Sequence, residues 1–166
     1  MSAPLDPYMP KYVASPTKAP KTYGHPGFAW AATRNAIQVL GGLIDYCIVG
    51  SADTLMAYAL IGELDQTTIP IKELPEYYEL LSKWQETAVS NLRKKVHYVK
   101  GLLVHFWHGT RQSRDYFNRN FLLVKHKYNP HKDVHFGKDG LLCIKMKDTP
   151  LEKDLKEYFD NRKEDE

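Results

Sequence analysis

With 166 residues, 43% of them hydrophobic and 26% charged, the chain has the composition of one soluble globular domain and is long enough to bury a core. A net charge of +3 and an isoelectric point near 8.7 fall short of the clustered basicity that makes nucleic acid the default partner. No apolar run reaches the roughly 18 residues of a membrane span, and the N-terminus has no signal-peptide pattern.

Residues 1–22 carry Pro4, Pro7, Pro10, Pro16 and Pro20 and read as an extended arm, because each proline removes a donor and biases its predecessor away from helix. GHPG at 24–27 is a turn by composition, in which His25 lines a cleft or merely caps it. Ala29, Ala32, Ala36, Leu40 and Leu43 then recur at helical spacing, which predicts a helix over 27–40 stopped by Gly41 and Gly42. IDYCIVG reads as a short buried strand or an extended turn. Ser51 is placed to cap the helix ADTLMAYALIGE, whose first turn holds Asp53.

The longest predicted helix covers 75–95, with Tyr77, Leu81, Trp84, Ala88 and Leu92 on one face. VKGLLVHFWH is rich in β-formers and predicts a strand. A helix over 113–128 would put Phe117, Phe121, Val124 and Tyr128 on one side. NPHKD reads as a turn, KDG at 138–140 as a tight hairpin turn, and PLEKDLKEYF as a last surface helix before a charged, fraying tail. The organisation is an arm over 1–22, a domain over 23–145, and a C-terminal helix and tail over 146–166. Helices dominate, with a few short strands and no βαβ run long enough for a complete parallel sheet, so the fold class is α/β of an α+β-like kind. Cys47 and Cys143 sit far apart in apolar company and read as reduced core residues, which implies a cytoplasmic setting.

Three short stretches could carry chemistry. A carboxylate in the first turn of a helix is favoured by unpaired backbone N–H groups, so Asp53 in GSAD is expected to stay ionised and able to accept a proton or bind a sugar hydroxyl; the same placement suits a plain helix-start acid. In HFWHG, His105 and His108 lie three apart. On a strand they point to opposite faces, one into a site and one into packing, unless a bulge at Trp107 brings both to one metal. Imidazole suits divalent transition metals such as manganese. Arg111, Arg114 and Arg119 follow directly and suit a phosphate, or form the solvated face of the next helix. No P-loop, GxGxxG, GxSxG, HExxH or CxxC occurs.

In order, GHPGFAWAATRNAIQVLGGLID, IVGSADTLMAYALIGE and VHFWHGTRQSRDYFNRNFLLVKHKYNP resemble the C-terminal half of the catalytic domain of GT-A-fold glycosyltransferases. The likeness is to a phage and bacterial family related to the galactosyltransferase and polypeptide N-acetylgalactosaminyltransferase group, and it covers about residues 22–143. It implies a metal-dependent enzyme that moves a sugar from a nucleoside-diphosphate donor to an acceptor hydroxyl. Gly50, Ala52 and Asp53 resemble the family's acidic helix-start motif, with Asp53 as the base or acceptor ligand. Where relatives often carry two adjacent acids, Ala52 precedes Asp53 here. HFWHG resembles the segment whose histidine completes the manganese site, implying a role for His108, which directly precedes the loop, or for His105. Arg111 and Arg114 would face the diphosphate, and His25, Trp30 and Trp107 the acceptor or sugar, although both tryptophans also suit a core.

The family's nucleotide-binding half ends in a DxD motif, and these residues contain no DxD. The resemblance therefore implies a truncated or split enzyme that needs a second chain, or a retained acceptor-side module with another use. The competing expectation is a non-catalytic module that uses an uncovered apolar face to pair with another chain. Nucleic-acid binding through Lys94, Lys95, Lys100, Arg111 and Arg114 is the least favoured reading.

Overall fold

The computed structural model describes residues 26, 27, 29–100, 104, 115 and 118–162. Among them are six α-helices and one antiparallel two-stranded sheet: α1 Arg34–Leu40, α2 Ala52–Leu60, α3 Pro75–Leu92, α4 Arg119–Lys125, α5 Pro130–Asp133, β1 Val134–Phe136, β2 Leu142–Ile144 and α6 Pro150–Asp160. Single 3-10 turns cover Leu64–Gln66 and Ile71–Glu73. None of the described helices is long and apolar enough to cross a membrane. The chain divides into two compact units that interleave along the sequence. Met1–Ile44, Gly50–Thr67 and Leu81–His105 form one; Asp45–Val49, Thr68–Leu80 and Phe106–Glu166 form the other.

In the first unit, α1 starts at Thr33, whose hydroxyl accepts a hydrogen bond from the Ala36 N–H at 3.1 Å, and stops at Gly41 in the left-handed conformation (φ 72°). The helix is therefore shorter than the predicted 27–40. Ala29 and Ala32 lie upstream of the cap, where the Trp30 indole donates instead to the Pro26 carbonyl at 2.6 Å. Five of the nine residues of α2 are buried, among them Leu55, Ala57 and Ala59, so this helix hides more than one face. Leu40, Leu60 and Ala88 form a buried cluster against which Trp84, Leu92 and Val96 pack. Two side chains on α3 tie loops to this core: the Trp84 indole donates to the Gly42 carbonyl at 3.1 Å, and the Gln85 amide oxygen accepts from the Leu64 N–H at 2.9 Å. The expected face of α3 is thus the buried one, although the helix ends at Leu92 rather than at 95.

The second unit is organised around tyrosines. Tyr46 meets Tyr77 edge to face with ring centres 5.8 Å apart, and Tyr77 meets Tyr128 in the same way at 5.7 Å. Edge-to-face pairing matches the positive rim of one ring to the negative face of the next. Each hydroxyl whose ring is deeply buried finds a partner. Tyr77 donates to the Cys47 thiol at 3.0 Å, Tyr128 to the Tyr46 carbonyl at 3.0 Å, and Tyr158 to the Val49 carbonyl at 3.5 Å. The stretch IDYCIVG is accordingly an extended turn rather than a strand, and both cysteines are half-buried and form no disulfide among the described residues.

Helices α4 and α6 pack against each other. The predicted helix over 113–128 is shorter at both ends and turns a different face inward: Asn120 and Leu123 are buried, while Phe121 is exposed. Tyr128 is buried beyond the helix end by its long-range hydrogen bond, not by helical spacing. NPHKD is a short helix rather than a turn, because the Asn129 side chain caps it and Pro130 fits the first turn. The hairpin pairs Val134 with Ile144 and Phe136 with Leu142, and its turn closes at Gly140 (φ 78°), as KDG predicts. Helix α6 begins with a reciprocal cap: Thr149 accepts from the Glu152 N–H at 3.2 Å, and the Glu152 carboxylate accepts from the Asp148 N–H at 2.6 Å.

Candidate functional site

The sequence-predicted catalytic residue, Asp53, is the second residue of α2. Two consecutive residues in left-handed backbone, Gly50 (φ 93°) and Ser51 (φ 71°), turn the chain sharply into this helix. Glycine takes such a conformation without penalty, but serine does not, and Ser51 is buried there. Ser51 occupies the expected cap position, yet it makes no side-chain cap hydrogen bond. The turn thus delivers Asp53 to a helix start where its carboxylate is partly accessible and Thr54 donates a long hydrogen bond to it at 3.5 Å. A carboxylate so held can accept a proton or a hydroxyl hydrogen bond.

Trp30, a predicted sugar-facing residue of the same unit, is 44% exposed, and its ring orientation is fixed by the bond to Pro26. His25, His105, Trp107, His108, Arg111 and Arg114 lie outside the described residues, as does most of the predicted strand VKGLLVHFWH. Val99, Lys100 and Val104 belong to no helix or strand. Lys94, Lys95 and Lys100 are exposed, and Arg119 opens α4. Among the described residues, no group of three or more His, Cys, Asp and Glu side chains is placed to hold a metal ion.

The second unit holds a cleft that sequence reasoning did not find. It measures about 370 Å³ and is lined by the end of α4 and the turn after it (Lys125, His126, Lys127), by Asp133, by Ile144 and Met146, and by the start of α6 at Thr149–Leu151. Beside it, Asp154 on α6 receives both the Lys125 ammonium at 2.5 Å and the Nε2 of His126 at 2.7 Å. The hydrogen bonds from Lys125 and His126 hold the Asp154 carboxyl below the usual carboxylate range. These residues come from four separated stretches of the sequence.

Burial pushes the hydroxyls of Tyr46, Tyr77 and Tyr128 well above the ordinary tyrosine range, with neighbouring Cys47 adding to the effect in each case. These phenols stay neutral and serve packing. Comparison of the chain with protein-family models, with curated proteins and with solved structures gives no match.

Proposed function

We propose that the chain is the acceptor-side part of a metal-dependent glycosyltransferase, moving a sugar from a nucleoside-diphosphate donor to an acceptor hydroxyl. The observation that carries the reading is the turn Gly50–Ser51 into α2. A buried non-glycine residue in left-handed backbone is strain that the surrounding structure must hold, and it stands two residues before the one carboxylate that the motif order singles out. In this reading Asp53 takes the acceptor proton as the hydroxyl attacks. His108 or His105 would hold in part a manganese-type cation, which when bound would supply positive charge against the departing diphosphate, and Arg111 and Arg114 would add to that charge. The donor-binding half lies outside these residues.

Calorimetry of the full chain with manganese tests this. Manganese binding is expected with the native chain, lost in the double variant His105→Ala/His108→Ala, and unchanged in Asp53→Asn, which instead loses transfer once a donor-binding half is supplied. An intact chain that takes up no metal sinks the proposal.

A second reading, an interaction module without catalysis, is favoured by a different observation. Phe136, Leu141 and Met146, on and beside the hairpin, are between 57% and 68% exposed, and large apolar side chains grouped in this way mark contact surfaces. Sedimentation of the chain, alone and with Phe136→Ser/Leu141→Ser, separates the two. Assembly that disappears in the variant supports the module, and a monomer in both cases removes it.

A further inference from the structure

We infer that the cleft between the end of α4, the hairpin and the start of α6 binds a small organic anion, a phosphate monoester with an apolar body, and that Lys127 is its charge partner. The site shares no residue with the glycosyltransferase reading and does not depend on it.

The cleft's volume of about 370 Å³ falls in the range of small-molecule sites, which run from roughly 300 to 1,000 Å³. Its charged groups are mostly committed to one another. Lys125 and His126 both bind Asp154, and the Asp133 carboxylate accepts the Asn129 N–H at 2.7 Å. The start of α6 is closed by its own Thr149 and Glu152. Lys127 is different. It is exposed on the cleft wall, and no hydrogen bond or ion pair of its side chain occurs among the described residues.

Its backbone sharpens the point. The N–H groups of Lys127 and Tyr128 close α4 by bonding to the carbonyls of Val124 and Leu123, and Lys127 itself is left-handed at φ 50°. That position after a helix is the one where glycine is strongly favoured. A lysine there is tolerated against its own backbone preference, and it sets an ammonium at the mouth of a cleft. Lysine meets a phosphate as a compact point charge with rotatable donors and needs no planar fork to do so. Ile144, Met146, Pro150 and Leu151 offer the apolar wall that a bare inorganic ion would leave unused.

The experiment titrates the full-length chain with phenyl phosphate and, separately, with inorganic phosphate, following the methyl signals of Ile144, Met146 and Leu151 by NMR. Phenyl phosphate is expected to bind saturably, at least tenfold more tightly than inorganic phosphate, and more weakly as salt is added. Lys127→Gln should weaken binding tenfold or more at unchanged melting temperature. Lys127→Gly should weaken it as much while raising the melting temperature, because glycine relieves the left-handed backbone. Binding that survives in both variants, equal affinity for the two phosphates, or no saturable shift at the three methyl groups would overturn the inference.

Discussion

Gly41 is a residue whose role can be isolated. It ends α1 with φ 72°, and a β-carbon built there meets nothing within 4 Å, so any cost of substitution comes from the backbone alone. Gly41→Ala is expected to destabilise the protein by about 1 kcal/mol, the typical penalty for a non-glycine residue in left-handed backbone, measured as a lower urea midpoint at unchanged slope. Asp53 was legible for a related reason. Its helix start is announced locally, by a glycine and a serine just before an apolar periodic run. What could not be read is that Ser51 enters the helix in left-handed backbone and makes no side-chain cap bond, since nothing in the letter S announces either. The histidines and arginines of the predicted metal and diphosphate site fall outside the described residues, so of the expected constellation the structure places Asp53 and Trp30.

At the scale of elements, legibility follows the reach of the forces involved. Helices α3 and α6 and the hairpin turn are set by short-range signals: helical spacing, a proline in the first turn, a Thr149–Glu152 capping pair and a glycine with positive φ. Helix α4 packs with α6, a partner distant in sequence, and it buries Asn120 and Leu123 rather than Phe121, to which its apolar spacing pointed. The pairing of α4 with α6 has a pH signature. Lys125 and then His126 hold the Asp154 carboxyl below the value it takes in the unfolded chain. A carboxyl with a depressed folded value binds its proton less readily in the native state. Its contribution is therefore complete above the unfolded value, near pH 4, and is lost as the pH falls through and below it. Asp154→Asn is expected to flatten the acid limb of a plot of melting temperature against pH and to leave the alkaline limb unchanged.

The tyrosine cluster gives the opposite limb. Burial raises the hydroxyls of Tyr46, Tyr77 and Tyr128, so above about pH 10 the unfolded chain releases protons that the native one retains. Stability is expected to fall as the pH rises through that value. Absorbance near 295 nm, read alongside circular dichroism, should show these phenols ionising only when the second unit unfolds. Phenolate formation at ordinary alkaline pH in an otherwise native protein would contradict the cluster.

For the whole molecule, the decisive fact is interleaving. Each unit is assembled from stretches that the other interrupts, and α3 contributes its first residues to one and the remainder to the other. In space α6 belongs with α4 and the hairpin. Composition could not reveal this, because it is the non-local contacts that group the stretches. A fragment covering 106–166 carries Tyr128 and Tyr158 without Tyr46, Cys47, Val49 or Tyr77, the groups their rings and hydroxyls meet. It is expected to lack near-ultraviolet circular dichroism and dispersed methyl signals, while adding back a peptide of residues 45–80 restores both.

The bond from the Trp84 indole to the Gly42 carbonyl makes the protein its own spectroscopic gauge. The sequence has three tryptophans, Trp30, Trp84 and Trp107, so replacing the first and last with phenylalanine leaves one emitter, seated in the core of the first unit. Its emission then follows that unit, while the packed rings of Tyr46, Tyr77 and Tyr128 supply a near-ultraviolet band that follows the other. One sample heated once yields two melting curves, and their coincidence or separation measures whether interleaving along the chain has welded the two cores into a single cooperative transition.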